Sequence, residues 1–297
     1  MGRFRSNDEL KYSLRSVGEF APWVRKVFIV TDDQVPAWLD TSNPRVEIVD
    51  HKDIFEDRHL PCFSSRAINL RLHHIKGLSE RFLSFDDDFF LGRPTSVSDF
   101  FHESGKGKLF TGRRLSWMWP RRLLRESSMP SKGRHHYAVF NSRRLVYQRY
   151  GRVVNYDRRH VVKVANGATR YKLESEFPDA VESTLSHPFR HTTDVQVWSL
   201  EAYYLIATGG NGPHYTKLYR GDRWLYSFRV FRGKRDCVHL PLNRSSVEKV
   251  KSSLSAIRKY GPLMFCINDG SNIPPETVQL AVGFLKERFP ERSEFEL

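Results

Sequence analysis

The stretch RFLSFDDDFFLG, Arg81 to Gly92, sets three consecutive carboxylates at the end of an apolar run whose length and aromatic content fit a buried strand. Adjacent aspartates repel one another, and burying even one is costly without compensation. A chain that folds around Asp86, Asp87 and Asp88 must therefore bring a metal ion or basic side chains to them. In an open α/β sheet ligands collect in the crevice beyond the carboxyl ends of strands, which is where these three are expected to fall. Oxygen-only ligands beside a phosphate site suit Mg²⁺ or Mn²⁺ better than zinc. The alternative is a solvated turn, against which the flanking Phe85, Phe89 and Phe90 argue.

With 297 residues, 39% of them hydrophobic and 13% aromatic, the chain can bury the core of a single α/β domain. No stretch is long and apolar enough to span a bilayer, and Met1 to Arg15 lacks the apolar centre of a signal peptide, so a cytoplasmic chain is expected. Cys62, Cys237 and Cys266 are odd in number and far apart, without CxxC or zinc-like spacing, and read as reduced, buried thiols. The net charge of +14 belongs to one segment: from Gly105 to Arg170, 17 Lys/Arg face only Glu126 and Asp157. Trp117, Trp119, Tyr137 and Tyr147 are interleaved there. Such a surface suits an anionic polymer, a nucleotide-sugar, RNA or an acidic membrane face; a merely solubilising insertion is the alternative.

Ser6 to Glu9 reads as a capping box ahead of the amphipathic helix LKYSLRSVGEF, which Pro22 ends. KVFIVTDD and VEIVD read as strands, in an alternating series typical of a mostly parallel sheet. SSRAINLRLHHIKGL reads as a helix closed at Gly77 and feeding into the aspartate strand. The basic segment is expected to be loops and short elements. RYKLESEFPDAVEST, broken at Pro178, and TDVQVWSLEAYYLIATG, ended by Gly209, read as helices. Arg190 and His191 precede the second, where a helix N-terminus and an arginine would together clamp a phosphate. Finally GPLMFCINDG is a strand ending in Asn268, Asp269 and Gly270, followed by a helix with proline in its first turn.

Two strands thus end in carboxylates or amides, and an arginine and histidine pair stands before a helix. These are the parts needed to handle a diphosphate with a divalent metal. His73, His74, His135 and His136 read as packed or surface histidines, and the Trp117 and Trp119 pair as core more than as a sugar platform.

Taken in order, RFRSNDELKYSLRSV at 3–17, APWVRKVFIVTDDQVPAWLD at 21–40, HLPCFSSRAI at 59–68, GLSERFLSFDDDFFLGR at 77–93, FPDAVESTLSHPFRHTTDVQ at 177–196 and FCINDGSNIPPETVQLAVGFLKERFPERSEFEL at 265–297 resemble the Stealth family. That family includes bacterial capsular-polysaccharide phosphotransferases and the alpha/beta subunit of the animal N-acetylglucosamine-1-phosphotransferase. The resemblance implies a nucleotide-sugar-transferase-like (GT-A or Rossmann-like) α/β fold, with a mostly parallel sheet flanked by helices. It implies one catalytic domain over 1–297 with a basic, variable insertion at about 104–158. The family's opening strand, ending in a Tyr-Thr-Trp-Val-Asp-Gly-like motif, has no counterpart before Arg3, so the first strand is expected to be missing and the activity of the chain by itself is left open.

The implied reaction transfers a sugar-1-phosphate from a UDP-sugar to a hydroxyl of a glycan acceptor, in capsular or exopolysaccharide synthesis. A phosphodiester forms and UMP leaves. By resemblance Asp87 and Asp88 match the family's paired aspartates, Arg190 the arginine of its third region, and Asn268 and Asp269 the N-D of its fourth. His160 falls on the position of a histidine, although HVVKVANGA lacks the surrounding family pattern. The implied catalytic set is Asp87, Asp88, His160 and Arg190; Arg190, His191, Asn268 and Asn69 would bind substrate, and Asp87, Asp88 and Asp269 would hold Mg²⁺ or Mn²⁺. Asn69 stands where relatives tend to have glutamate, Arg71 where they have histidine, and Asp86 replaces a common asparagine. The expected partners are the UDP-sugar, the acceptor glycan and membrane polysaccharide machinery at the inner face, with no nucleic acid. Three alternatives remain: a metal-dependent glycosyltransferase, an inactive truncated homologue, and a polyanion-binding protein using the arginine-rich segment.

Overall fold

The computed structural model describes residues 7–297 except 104, 106, 115–119, 130–132, 209–217, 220–236 and 271–272. Apolar residues at helical spacing in ELKYSLRSVGEF form α1 (Glu9–Phe20), which buries Tyr12, Leu14, Val17 and Phe20. Ser6 of the expected capping box lies outside the described residues; the Glu9 carboxylate instead accepts from the backbone N–H and side-chain amide of Asn7, both at 2.7 Å. The two expected strands form as β1 (Val27–Thr31) and β2 (Val46–Asp50), paired in parallel. The next helix, α2 (Ser65–Arg71), is shorter than its sequence pattern. A 3₁₀ turn over Leu72–His74 follows it, and Gly77, at φ 80°, turns the chain toward the aspartates as a left-handed glycine does.

As expected, Asp86 to Asp88 follow the end of a strand, β3 (Arg81–Ser84); they form a turn from which a second short strand, β4 (Phe89–Leu91), departs. Then come α3 (Val97–Phe100), β5 (Leu109–Arg114), α4 (Arg134–Tyr150), β6 (Tyr156–Arg158), β7 (Lys163–Asn166), α5 (Gly167–Glu176), α6 (Pro178–Leu185) and α7 (Val197–Ala207). Last are β8 (Leu218–Tyr219), β9 (Cys237–Pro241), α8 (Val247–Tyr260), β10 (Met264–Asn268) and α9 (Pro275–Arg288).

The protein is α/β, but its strand pairing is mixed where a mostly parallel sheet was expected. β1 with β2, β9 with β10 and β5 with β8 are parallel; β4 with β10, β3 with β7 and β5 with β6 are antiparallel. The aspartate turn is the physical reason for part of this. It ends β3, which pairs with β7, and sends β4 alongside β10 in the opposite direction.

The basic segment also differs from expectation, because it contains the 17-residue helix α4, packed on α7. Its pattern is concealed by the polar character of its inner face: Ser142 and Arg143 are buried beside Ala138, Phe140 and Val146. Arg143 donates to the Val154 carbonyl at 2.9 Å and to the Tyr203 hydroxyl at 2.8 Å. Arg170 is likewise buried, against Glu201 at 2.9 Å. Part of the positive charge that reads as surface therefore belongs to the interior, while Arg144, Arg149 and Arg152 are exposed. Trp117 and Trp119 lie outside the described residues.

Two apolar clusters flank the aspartate turn. One gathers Phe89, Phe90 and Leu91 with β10 and the inner faces of α1, α8 and α9. The other gathers Phe82 with α2, α5, α6 and α7. The turn thus runs from a strand seated in one cluster to a strand seated in the other.

Candidate active site

The geometry grows outward from this turn. The Asp86 carbonyl accepts from Phe89 N–H at 3.1 Å, closing it, and the Asp88 carbonyl accepts from Ile267 N–H at 3.2 Å, tying it to β10. Antiparallel pairing of β3 with β7 sets Ser84 opposite Lys163. That register delivers the Lys163 ammonium to Asp86, with Nζ 2.8 Å from Oδ2. The lysine is buried, its Nζ 4.0 Å from the centre of the Phe89 ring. Burial opposes ionisation of Asp86, but the charge and hydrogen bond of Lys163, with His160 and Arg190 nearby, outweigh it and hold the carboxyl below its ordinary value.

Asp88 is treated differently by its surroundings. It is 8% exposed, and its Oδ2 accepts from Asn268 Nδ2 at 2.7 Å and from the Cys266 thiol at 3.4 Å. Its other oxygen, Oδ1, is buried and has no hydrogen-bond partner among the described residues. Burial pushes the carboxyl up to about 7, assisted by the charges of Asp86 and Asp87 and opposed by the Asn268 and Cys266 hydrogen bonds. Asp87 is exposed at its surface, yet partial desolvation, then Glu9 of α1, then Asp86 raise its pKa as well.

His160, just ahead of β7, packs edge-on to Phe89 and to His239, with ring centres 5.0 Å apart in both cases. Ligand-capable atoms of Asp86, Asp88 and His160 all lie within 4.8 Å of one another, as do those of His160, His239 and Cys266. His160 is exposed at its surface, yet desolvation of its ring first, then Lys163, lower its pKa to about 4 despite the opposing charge of Asp86, which favours the neutral imidazole at pH 7. His239 faces the same place because parallel pairing sets it opposite Cys266.

Arg190 comes from a different position than expected. α7 begins only at Val197, and Asp194 folds the intervening turn by accepting from His191 N–H at 2.7 Å. Arg190 is therefore not at the N-terminus of α7. It donates through Nη2 to Ser65 Oγ on the first residue of α2, and its charge acts on Asp86. His191 is exposed, its Nδ1 2.8 Å from Thr193 Oγ1 and its ring tilted against His187. Asn69 is half-buried on α2, four residues after Ser65 and so on the same helical face; its carbonyl accepts from Arg170 at 3.3 Å. Asp269 follows Asn268, and its Oδ1 accepts from Gly270 N–H at 2.7 Å.

Asp86, Asp88, His160 and Asn268 thus converge, with Arg190 within electrostatic reach and Asp87 and Asp269 as their chain neighbours. Lys163, His239, Cys266, Ser65 and Glu9 are participants that sequence reading missed. The β-branched apolar run VVKVA is a strand signal, and the lysine inside it is a local anomaly that could have flagged Lys163, though not its partner. The donor set also differs from the oxygen-only one expected, since imidazoles and a thiol border the carboxylates. A buried carboxylate oxygen with no partner, next to further donor atoms, fits a divalent cation.

Known proteins match the chain over this same frame. Residues 3–109 match the Stealth protein conserved region 2, and residues 159–207 match conserved region 3. The chain belongs to the Stealth family. The first of these regions contains the aspartate turn and the second contains His160, Lys163 and Arg190. This Stealth chain is 37% identical over 300 residues to an exopolysaccharide phosphotransferase of Streptomyces coelicolor, covering 99% of the chain and 46% of the relative. It is 34% identical over 301 residues to the exopolysaccharide phosphotransferase CpsY of Mycobacterium tuberculosis, covering 97% of the chain and 50% of the relative. The chain spans about half the length of these relatives.

Proposed function

We propose that this chain carries the catalytic centre of a sugar-1-phosphate transferase, moving a hexose- or N-acetylhexosamine-1-phosphate from a UDP-sugar to a hydroxyl of a glycan acceptor. The supporting observation is the unpartnered Asp88 Oδ1 in a turn that also gathers Asp86, His160 and Asn268. The names of the relatives point to exopolysaccharide synthesis. In this reading the α/β scaffold is of the nucleotide-sugar-transferase type, and the work is done at the cytoplasmic face of the membrane, where the polysaccharide machinery meets its UDP-sugars. Among the described residues no helix is long and apolar enough to cross a membrane.

Asp88 and Asp87, with Asp269 beside them, would hold Mg²⁺ or Mn²⁺. Such an ion supplies charge neutralisation at the diphosphate oxygens. The remaining work falls to the chain. Arg190 carries a positive charge to the anionic donor, and Ser65 fixes one arm of its guanidinium. His160, neutral at pH 7, accepts the proton of the acceptor hydroxyl. The acceptor oxygen bonds to the phosphorus nearer the sugar as the bond from that phosphorus to the bridging oxygen breaks, and UMP departs with the electron pair. Asp86 stabilises the imidazolium so formed, while Lys163 holds Asp86 ionised and in place. Asn268 orients Asp88 through its amide. In this reading His191 and Asn69, which flank Arg190 and Ser65 in sequence, would bind the donor beside Arg190. There the exposed rings of Phe63 and Phe189 stack at 5.2 Å, and their outer faces offer an apolar surface to a sugar ring.

The test is the identity of the leaving nucleotide. With a UDP-sugar, a glycan acceptor and Mg²⁺ or Mn²⁺, UMP and a phosphodiester-linked product are expected. Release of UDP with a product lacking phosphorus would identify a glycosyltransferase instead. Nucleotide release that is unchanged in Asp88→Asn would reject catalysis at this turn.

A further inference from the structure

At the far end of α2, away from the aspartate turn, the 3₁₀ turn Leu72–His74 presents two adjacent imidazoles to one carboxylate of α5. His73 Nε2 is 3.3 Å from Glu174 Oε1, and His74 Nε2 is 3.0 Å from Glu174 Oε2. We propose that His73, His74 and Glu174 form a second divalent-metal site, of zinc type, distinct from the aspartate centre.

The spacing supports this. A tetrahedral ion bound at ~2.0–2.1 Å sets its ligand atoms roughly 3.3–3.4 Å apart, and zinc favours imidazole nitrogen with carboxylate oxygen. The candidate ligand atoms all lie within 4.8 Å of one another. Burial supplies an independent argument. The His73 side chain is 1% exposed; its Nδ1 has no hydrogen-bond partner among the described residues, and its Nε2 faces the Glu174 carboxylate at 3.3 Å. A metal ion seated between that nitrogen and the carboxylate would satisfy a buried imidazole so placed.

The surroundings are those of a supported site. Arg71 donates through Nε to the Ile54 carbonyl at 2.8 Å and through Nη1 to Glu174 Oε1 at 3.3 Å, which orients the carboxylate. A carboxylate has lone pairs enough to serve both the guanidinium and an ion. The Tyr171 ring packs edge-on to both imidazoles, at 4.5 and 5.1 Å, and its hydroxyl donates to the His73 carbonyl at 3.2 Å. His74 is 25% exposed and opens a route for the ion, with water as the fourth ligand. Ser65, which holds Arg190, is eight residues earlier, or roughly 12 Å along a helical path. The ion would pin the end of α2 to α5.

The test is to strip the full chain with a chelator and titrate it with Co²⁺ and then Zn²⁺. Visible d–d bands of tetrahedral cobalt, displaced by one equivalent of zinc, are expected for the native chain and for Asp88→Asn. His74→Ala and Glu174→Gln should bind at least about tenfold more weakly. Their circular dichroism should match that of the native chain, which makes them better probes than a change at the fully buried His73. Zinc should raise the melting temperature of the native chain and not that of His74→Ala. Absence of tetrahedral bands, bands that persist in both His74→Ala and Glu174→Gln, or bands lost only in Asp88→Asn would each overturn the proposal.

Discussion

Asp88 and Asp194 are two buried aspartates with opposite surroundings. Asp194, fully buried, accepts from Arg66 Nη1 at 2.7 Å, from His191 N–H at 2.7 Å, and pairs with His187 Nδ1 at 3.0 Å. A full positive charge and a backbone donor answer its negative charge. Asp88 has an amide on one oxygen with a weakly donating thiol, and no partner among the described residues on the other. The first arrangement is what a fold needs to close a turn around a carboxylate. The second is stable with the carboxyl protonated or with a cation brought from outside, and the role proposed for Asp88 rests on it.

The largest effect expected from this contrast is on stability at Asp194. Replacing it in Asp194→Asn breaks the buried ion pair with the 5%-exposed Arg66, at a cost of about 3–5 kcal/mol. Urea unfolding should show it, and a loss under about 1 kcal/mol would mean that Asp194 is not the structural partner described. Asp88→Asn should do the reverse. Turnover should fall on the order of a thousandfold, equivalent to ~4 kcal/mol of barrier, while the melting temperature is kept or raised. An equal loss of folding in both variants would erase the distinction.

The next effect is a dependence on pH. The Asp88 carboxyl is raised to about 7, so between about pH 4 and 7 the native state keeps a proton that the unfolded chain has released. Its contribution to stability is therefore highest at low pH, falls as pH rises through that window, and levels off above it. Chelator-treated protein should lose roughly 2–4 kcal/mol across the window relative to Asp88→Asn, the upper figure being the pKa difference converted at ~1.36 kcal/mol per unit. Saturating Mg²⁺ or Mn²⁺ should flatten the difference. Parallel pH profiles of the two proteins in chelator would show that Asp88 is ionised and satisfied in the native state.

How much of this was legible in the sequence follows from the range of each interaction. Asp86 to Asp88 were conspicuous because charge inside an apolar run is a local anomaly. Asn268 and Asp269 stand out for the same local reason, at the end of an apolar strand. Lys163 was not, because its role depends on the register of β3 against β7, and no local signal encodes that pairing. His239 and Cys266 are likewise brought together only by β9 pairing with β10. Arg190 was recognised but misplaced: the turn that Asp194 folds separates it from α7 and hands it to Ser65. α4 was read as loops because buried Arg143 and Ser142 break the apolar periodicity that announces a helix. The mixed pairing of the strands was not legible because Phe89–Leu91, after the turn, becomes a strand whose antiparallel partner, β10, is chosen by long-range packing.

The smallest effect tests whether Asp194 is as well supplied as it looks. His187 is 29% exposed and pairs with Oδ1, while Arg66 and the His191 N–H both serve Oδ2. In His187→Ala, water can reach the vacated Oδ1 from the exposed side, and the ion pair with Arg66 is untouched. The loss should stay below about 1.5 kcal/mol, the worth of one ordinary hydrogen bond. A loss as large as that of Asp194→Asn would mean that the histidine carries the compensating charge and that Asp194, like Asp88, depends on a partner of adjustable charge.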